Sequence, residues 1–310
     1  MGLTRVIANP HAGSAELGER LEHVARTLGW EWRWTRTEGE AQRLARDAAE
    51  RGFDRIVAAG GDGTVHLVVQ GIVESAAKPT LAVLPLGTGN DLVRTLGFST
   101  DAELVLDQLA HGTDVRTIDL ARARIGRHRR VLINGSAAGF SGEVDRALDP
   151  EAKARWGAWA YMRAALDVIG DLPRYELTVR ADGEDVGPVA CIGITVMNGQ
   201  TCGGGMQVAP SASLEDGLLD LLIVEEASPL ALAGVAAQLR TGGILDNKHV
   251  RHHRGALIEL TSRPVMPFNA DGELLGDVRS ARFEVMPRAL SVAVGHEYVC
   301  PLDPIATATG

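Results

Sequence analysis

The feature that most constrains the fold is the alternation of strand-like and helix-like segments in the first 100 residues. Four short strand-like segments, from residues 3–9 to residues 81–86, are each followed by a segment with helical periodicity. Strands that alternate with helices are typical of a parallel sheet, because the connection between two parallel strands must return along the sheet. The pattern predicts an α/β N-terminal domain.

After residue 112 the pattern changes to successive strand-like runs separated by Gly, Pro and Asp turns. Within this half, the segments 151–170 and about 229–240 have helical periodicity. Short strands with turn residues between them are typical of an all-β sandwich or barrel. We therefore expect a boundary near residue 120, with domains 1–120 and 121–288, and a C-terminal segment, 289–310, that could return to the N-terminal domain.

Composition narrows the classes of function. The formal net charge of −9 gives no electrostatic reason to expect a nucleic-acid partner. The three cysteines are scattered and show no CxxC spacing, so a reducing compartment is expected. The most apolar segment, 218–239, is interrupted by acidic residues, which argues against a transmembrane helix. Any membrane contact is then expected to be peripheral.

Two glycine-rich joints connect strands to helices in the α/β half. The first, 60–64, reads GGDGT, and the second, 86–91, reads LGTGND. Glycine permits positive φ and close approach of a ligand, and a helix N-terminus offers N–H groups and a positive dipole end to phosphate. Both joints follow parallel strands and should open on the same edge of the sheet. They predict a nucleotide pocket at that edge.

A purely structural interpretation of the first joint stays open. In that case GGDGT is a tight turn, and Asp62 and Thr64 cap the following helix. In the functional interpretation Thr64 caps the helix or binds a phosphate oxygen, and Asp62 holds Mg²⁺ directly or through water. Neither joint matches the dinucleotide or P-loop motif, and neither contains a lysine. Backbone amides, arginine and metal would then have to neutralise the phosphates.

These motifs resemble those of the diacylglycerol kinase catalytic-domain family, which includes bacterial diacylglycerol kinases, a phosphatidylglycerol-kinase-like branch, and the sphingosine and ceramide kinases. The matching segments follow the family's order over almost the whole chain: 9–14, 60–64, 85–91, 198–199, 203–206, 209–210, 214–220 and 271–273. One departure follows GGDGT, where the family has a TxNE pattern and this chain has Thr64-Val65-His66-Leu67.

The resemblance implies an ATP-dependent lipid kinase with a phosphofructokinase-like N-terminal domain, a C-terminal β-sandwich and an active site in the cleft between them. It also implies a set of ATP contacts around the strand ends: Asn9, Pro10, His11, Ala12, Gly13, Thr35, Gly60, Gly61, Asp62, Gly63, Thr64, Val65, His66, Gly87, Thr88 and Asn90. For Thr35 only the spacing to Gly39 and Ala41 supports the assignment.

Catalytic acids are implied by the same resemblance. Phosphoryl transfer to an alcohol needs a group that accepts the hydroxyl proton. Glu273 is the expected proton acceptor, and Asp271 and Asp62 are the other expected catalytic acids. Without the resemblance, residues 271–273 would be interpreted as an ordinary Asp-Gly turn.

A structural Mg²⁺ ion is implied as well. Its ligands would be the Asp216 carboxylate and the main-chain carbonyls of Ser213 and Leu218, since this hard cation prefers oxygen. The alternative for this segment is again an Asp-Gly hairpin turn.

Two segments raise the question of lipid contact. Trp156 and Trp159 lie on one face of the predicted helix 151–170, which favours core packing, with an interfacial helix as the alternative. The basic cluster 248–254 is interpreted as a solvated strand or hairpin, or else as a contact for anionic lipid.

The sequence therefore predicts a cytoplasmic lipid kinase, peripheral to the inner membrane face, that uses ATP and Mg²⁺. Diacylglycerol is the expected lipid substrate at the membrane surface. The alternatives are another lipid alcohol (phosphatidylglycerol, a sphingoid base or ceramide), an NAD kinase, since GGDGT also occurs there, and a catalytically inactive nucleotide- or lipid-binding regulator, which only His66 and Leu67 support. Nucleic acid is not expected, and a homodimer is left open.

Overall fold

The computed structural model describes residues 2–37, 39–141 and 173–300. The chain divides into two compact units: the first contains 1–118 and 288–310, and the second contains 119–287. The predicted helix at 151–170, with its tryptophan pair, lies outside the described residues.

The first unit is a parallel sheet with crossover helices. Its elements are β1 (Thr4–Ala8), α1 (Ala15–Thr27), β2 (Glu31–Trp34), α2 (Glu40–Glu50), β3 (Arg55–Gly60), α3 (Asp62–Glu74), β4 (Thr80–Pro85), α4 (Asp91–Thr95) and α5 (Ala102–His111). The strand order is β4-β3-β1-β2, all parallel. Val292, near the end of the last strand of the chain, pairs in parallel with Leu81 of β4. The predicted α/β architecture is confirmed.

The core of the first unit explains why its strands are so apolar. β1, β3 and β4 are buried along almost their whole length, as expected for parallel strands that helices cover on both faces. Helix α2 buries Ala41, Ala45 and Ala48, which share one face at helical spacing. Where α3 meets α2, a Cβ on Gly71 would overlap the Gln42 carbonyl oxygen, so glycine permits this close approach.

The second unit is rich in antiparallel strands. Its elements, two of which extend into the first unit, are β5 (Asp114–Ile125), β6 (His128–Leu132), β7 (Gly135–Gly139), β8 (Tyr175–Ala181), β9 (Glu184–Met197), β10 (Thr201–Cys202), β11 (Met206–Gln207), β12 (Leu219–Glu225), α6 (Pro229–Thr241), a short 3-10 helix (Gly243–Asp246), β13 (Val250–Gly255), β14 (Leu257–Ala270) and β15 (Glu273–Val294). The main strand order is β13-β12-β9-β7-β14-β15. β8 pairs with β9 and β14, and β5 pairs with β6 and β15. The prediction of a β-rich second half is confirmed.

Alternation along the strands builds the core of the second unit. In β8 every second side chain, Tyr175, Leu177 and Val179, is buried, and Phe268 and Phe283 pack in the same cluster. A smaller cluster lies beneath α6. None of the described helices combines the length and the hydropathy that a bilayer-spanning helix needs.

Candidate functional site

In the first unit, the carboxyl ends of the four parallel strands lie at one edge of the sheet. Ala8 at the end of β1 pairs with Trp34 at the end of β2 and with Ala59 in β3, and β3 and β4 end at paired residues. The segments that leave this edge begin with Asn9, Thr35, Gly61 and Leu86. Open parallel sheets bind ligands at this edge, so the register brings the predicted nucleotide-binding segments side by side.

The two glycine-rich joints touch each other. A Cβ on Gly61 would lie 3.2 Å from Cα of Gly87, and a Cβ on Gly87 would overlap Cα of Gly61. The Leu86 N–H donates to the Gly60 carbonyl at 3.1 Å. None of the described joint glycines has a positive φ, so the expectation that they supply left-handed backbone is wrong. Gly61 and Gly87 instead permit the close approach of the two backbones.

The N-terminus of α3 has no side-chain cap. Its N-cap is Gly61, whose carbonyl accepts the N–H groups of Thr64 at 2.9 Å and Val65 at 3.1 Å. Thr64 lies within the first turn, and its hydroxyl accepts Nδ2 of Asn9 at 3.4 Å. The prediction that Thr64 caps the helix is therefore wrong. A helix N-terminus without a side-chain cap suits an anion, because its N–H groups and dipole point outward.

Asp62 links the two joints. Its Oδ1 accepts the N–H of Asp91, the first residue of α4, at 2.9 Å. Burial raises the pKa of Asp62 and the neighbouring Asp91 carboxylate raises it further, against hydrogen bonds from the N–H groups of Asp91, Leu92 and Asn90. Asp62 thus stabilises the start of α4, which has no cap from its own N-cap side chain. Asp62 is half-buried and the adjacent Asp91 is buried. Two neighbouring carboxylates of this kind also fit a cation that arrives with a nucleotide.

Asn90 shapes the second joint from within. It takes a φ of 51°, and its side chain both accepts the Gly87 N–H at 3.2 Å and donates to the Gly87 carbonyl at 2.7 Å. Asn90 is 5% exposed, whereas the neighbouring Thr88 is exposed. Asn90 therefore holds the loop, and Thr88 is the exposed residue of this joint.

The first predicted segment, 9–14, folds as a compact turn after β1. Asn9 donates its N–H to the Ala59 carbonyl at 3.0 Å, and its Oδ1 accepts the N–H of His11 at 2.9 Å. Gly13 takes a φ of 71°, and a Cβ there would lie 3.3 Å from the Leu86 carbonyl oxygen. The turn therefore approaches the second joint.

Accessibility separates the predicted ATP contacts into two groups. The first group is exposed or half-exposed and contains Asn9, Pro10, His11, Ala12, Gly13, Thr35, Gly61, Asp62, Gly63, Gly87 and Thr88. The second group is buried and contains Gly60, Thr64, Val65, His66 and Asn90. Val65 is only 2% exposed and belongs to the core. Direct contact with a ligand is thus open to the first group, through the backbone at its glycines and through side chains at the other residues.

In the second unit, three main-chain amides hold the carboxylate of Asp271. Its Oδ1 accepts the N–H groups of Asn134 at 3.1 Å and Gly135 at 2.9 Å, and its Oδ2 accepts that of Ile133 at 3.1 Å. Its own N–H donates to the Gly135 carbonyl at 2.9 Å, and its φ is 42°. Both carboxylate oxygens are engaged, so the geometry suits a positioning role for Asp271.

Glu273 has different surroundings, although it is only two residues away. Its side chain is 58% exposed and lies 3.4 Å from Nη2 of Arg130 on β6. An exposed carboxylate can reach the proton of a substrate hydroxyl, as a general base must. Arg130 was not predicted from the sequence, because only the pairing of distant segments brings it here.

Asp216, the carboxylate among the predicted structural Mg²⁺ ligands, has partners on both of its oxygens. Oδ1 of Asp216 accepts the Leu218 N–H at 3.0 Å, and Oδ2 contacts the guanidinium of Arg254. Ser213 is buried, and its hydroxyl accepts the Glu215 N–H at 3.2 Å. Within 2–37, 39–141 and 173–300, no group of three or more His, Cys, Asp or Glu residues is arranged to hold a metal ion. With one oxygen engaged by the Leu218 N–H and the other by Arg254, the Asp216 carboxylate does not fit Mg²⁺.

Two buried polar residues, to which the sequence assigned no role, also organise this region. Asp119 is 1% exposed, and its Oδ2 accepts the Gly217 N–H at 2.7 Å. Asn198 is 1% exposed, and its Nδ2 donates to the carbonyls of Asp119 at 3.0 Å and Ile133 at 2.9 Å. A polar residue inside an apolar strand, as in TIDLA, was the available signal for Asp119.

Comparisons with known proteins agree with the motif analysis. The model of the diacylglycerol kinase catalytic domain matches residues 4–123, and that of the YegS C-terminal NAD kinase beta sandwich-like domain matches residues 135–294. The chain is 33% identical over 277 residues to "Probable lipid kinase YegS-like" of Pseudomonas syringae pv. tomato, covering 86% of this chain and 85% of that one. The chain belongs to this family of lipid kinases. The predicted family and enzyme class are thereby confirmed, and kinase chemistry implies use of ATP.

A second relative and two solved structures extend the comparison. The diacylglycerol kinase of Bacillus subtilis is 29% identical over 310 residues, which cover 98% of this lipid kinase family member and all of the relative. A diacylglycerol kinase structure from Bacillus anthracis aligns with a TM-score of 0.74 at 20% identity, covering 96% and 98% of the two chains. An NAD kinase from Archaeoglobus fulgidus in complex with ATP aligns with a TM-score of 0.57 at 15% identity, covering 96% and 95%. These structures show the fold, which lipid kinases and NAD kinases share.

Proposed function

We propose that this lipid kinase transfers the γ-phosphoryl group of ATP to the hydroxyl group of a membrane lipid, and that the lipid is diacylglycerol. The observation that carries the proposal is the contact between the two glycine joints beside the N-terminus of α3, which has no side-chain cap. The full-length match to the diacylglycerol kinase of Bacillus subtilis supports this acceptor over the alternatives.

The phosphates of ATP bind at the N-terminus of α3. Gly61 and Gly63 leave room for them, and the first-turn N–H groups and the helix dipole stabilise their negative charge. Thr88 and His11 are exposed on the neighbouring segments and contact the nucleotide. Asp62 and Asp91 would hold the Mg²⁺ that accompanies ATP, which would neutralise part of the phosphate charge.

In the transfer step the lipid hydroxyl oxygen bonds to the γ-phosphorus, and the bond between that phosphorus and the bridging oxygen of ADP breaks. Glu273 accepts the hydroxyl proton, because it is the exposed carboxylate of the 271–273 turn. Asp271 holds that turn through its three main-chain hydrogen bonds. Arg130 pairs with Glu273 at 3.4 Å.

The acceptor determines where the enzyme works. Diacylglycerol resides in a bilayer and ATP in the cytoplasm, so the enzyme visits the cytoplasmic membrane face as a peripheral protein. The basic strand β13 remains a candidate for anionic lipid contact at roughly 1 kcal/mol per cationic side chain near the surface. Two of its arginines are already paired with acids of the second unit, Arg251 with Glu225 and Arg254 with Asp216.

The test is a transfer assay with γ-labelled ATP and Mg²⁺ on a panel of acceptors. Diacylglycerol, phosphatidylglycerol, sphingosine and ceramide in mixed micelles, together with NAD, are offered separately to the purified chain. We expect label in phosphatidic acid, and none with Glu273→Gln. Glu284→Gln is the matched control, since Glu284 is an exposed glutamate on the same strand. Label on NAD and on no lipid would overturn the proposal.

A further inference from the structure

Three buried carboxylates lie in or against the segment 213–220 of the second unit. Asp119 and Asp220 are each 1% exposed, and the side chain of Asp216 is 6% exposed. A carboxylate removed from water is strongly destabilised unless hydrogen bonds or an opposite charge replace its hydration. The segment must therefore contain compensating groups for all three.

Main-chain amides supply part of this compensation. Oδ2 of Asp119 accepts the Gly217 N–H at 2.7 Å, and Oδ1 of Asp216 accepts the Leu218 N–H at 3.0 Å. The Asp119 N–H in turn donates to the Leu214 carbonyl at 2.6 Å. These bonds wrap the segment around Asp119, and side chains of β13 contact Oδ2 of Asp216 and Oδ1 of Asp220.

Arg254 brings a positive charge to Oδ2 of Asp216 and Oδ1 of Asp220. The register of β12 and β13 places Arg254 directly opposite Asp220, and cross-strand neighbours of this kind have their side chains in reach of each other. Nη2 of Arg254 contacts Oδ2 of Asp216, and its Nε lies 3.4 Å from Oδ1 of Asp220. His252, two residues earlier on the same face, places Nε2 at 2.6 Å from the same Asp220 oxygen.

We propose that Arg254 is the built-in cation of the segment 213–220 and takes the place of the structural Mg²⁺ that the family resemblance implies. A guanidinium is charged at every working pH, and its planar fork can bond two carboxylates at once. Mg²⁺ demands near-octahedral oxygen ligands and would have to displace Arg254 from Asp216. The segment then needs no metal, and the metal requirement of the enzyme belongs to the nucleotide alone.

The first test measures thermal unfolding of the full chain without nucleotide, in EDTA and in millimolar Mg²⁺. The wild-type Tm should be the same in both, within about 1 °C, a shift worth only a few tenths of a kcal/mol. Arg254→Met keeps the aliphatic bulk but leaves two buried carboxylates without this charge, so its Tm in EDTA should fall by roughly 6 °C or more. Mg²⁺ should recover part of that loss, because the ion can then bind the Asp216 oxygen that Arg254 contacts in the wild type.

Arg251→Met is the matched control from the same strand. Arg251 pairs with Glu225 at the surface, and its side chain is 49% exposed. Exposed pairs contribute little to stability, so its Tm should fall by less than about 2 °C, with no response to Mg²⁺. An Arg254→Met variant as stable as Arg251→Met would overturn the proposal.

The second test is a Mn²⁺ titration of the nucleotide-free chain, followed by electron paramagnetic resonance. We expect the wild type to bind no Mn²⁺ at Asp216, so Asp216→Asn should leave the amount of bound Mn²⁺ unchanged. Stoichiometric binding in the wild type that is lost in Asp216→Asn, or a wild-type Tm that falls in EDTA, would contradict the proposal even if Arg254→Met failed to fold. Neither measurement uses ATP or lipid, so its result is independent of the proposed kinase activity.

Discussion

Replacing Asp271 by asparagine separates a positioning role from a catalytic one. The Asp271 carboxylate accepts three main-chain N–H bonds of 2.9 to 3.1 Å, from residues 133–135. Asparagine has a single acceptor oxygen, so its NH₂ group would face one of these donors. At least one amide loses its partner, and the others lose the carboxylate charge.

The expected loss of stability is substantial. A hydrogen bond to a charged group contributes about 1.5–3 kcal/mol, and an amide left without a partner costs about 1–3 kcal/mol. Asp271 is half-exposed, so water can replace part of the lost hydrogen bonding. We therefore expect the free energy of unfolding to fall by about 2–4 kcal/mol. For a unit of this size, that corresponds to a decrease in Tm of at least about 4 °C.

The assay compares Tm by scanning calorimetry and kcat by phosphoryl transfer for Asp271→Asn and Glu273→Gln. Glu273 is exposed and forms only a surface ion pair, so Glu273→Gln should leave Tm within about 1 °C. As the proposed general base, it should lower kcat by roughly 100-fold or more. The reasoning is refuted if Asp271→Asn has a wild-type Tm and no activity while Glu273→Gln turns over normally.

Three further substitutions probe the joints of the first unit. Gly63→Ala adds a methyl group in open space inside α3, so stability should rise by about 0.5–1 kcal/mol while ATP affinity by calorimetry falls; unchanged affinity would remove Gly63 from the nucleotide site. Gly87→Ala presses a Cβ onto the Gly61 backbone, so we expect a stability loss of about 1–3 kcal/mol and a higher KM for ATP, whereas a wild-type Tm would show that the joints do not touch. Asp62→Asn removes a carboxylate whose pKa is raised by burial and by Asp91. Ionised Asp62 costs stability as the pH rises above the ordinary Asp pKa of 3.8, so the variant should have a higher Tm than the wild type at pH 7 but not near pH 4, and its kinase activity should be lost. A gain in Tm that is independent of pH would contradict this reasoning.

Local sequence patterns were sufficient to predict most of the elements. Gly29 and Gly52 directly follow the helical periodicity of the first two helical segments, and both take positive φ just after α1 and α2 end. The alternation of apolar and polar residues in RYELTVRAD is one of the strand-like patterns of the second half, and β8 there has one buried and one exposed face. Such patterns work because they record which side of an element faces the core.

The candidate site was predictable as a set of segments but not as a set of contacts. Parallel strand topology predicted that the joints after β3 and β4 share an edge, and the strand register agrees. Asp62, however, finds its partner 29 residues away in Asp91, and Arg254 finds its partner 38 residues away in Asp216. Such pairs depend on strand register and loop path, which short-range periodicity does not encode.

The most direct measurement is incubation of the full chain with γ-labelled ATP, Mg²⁺ and a total bacterial lipid extract, followed by mass-spectrometric identification of the labelled species. We expect one dominant labelled product, phosphatidic acid, with the wild type and the Glu284→Gln control, and no labelled lipid with Glu273→Gln. A wild-type enzyme that binds ATP but labels no lipid in the extract would contradict a kinase role for this chain.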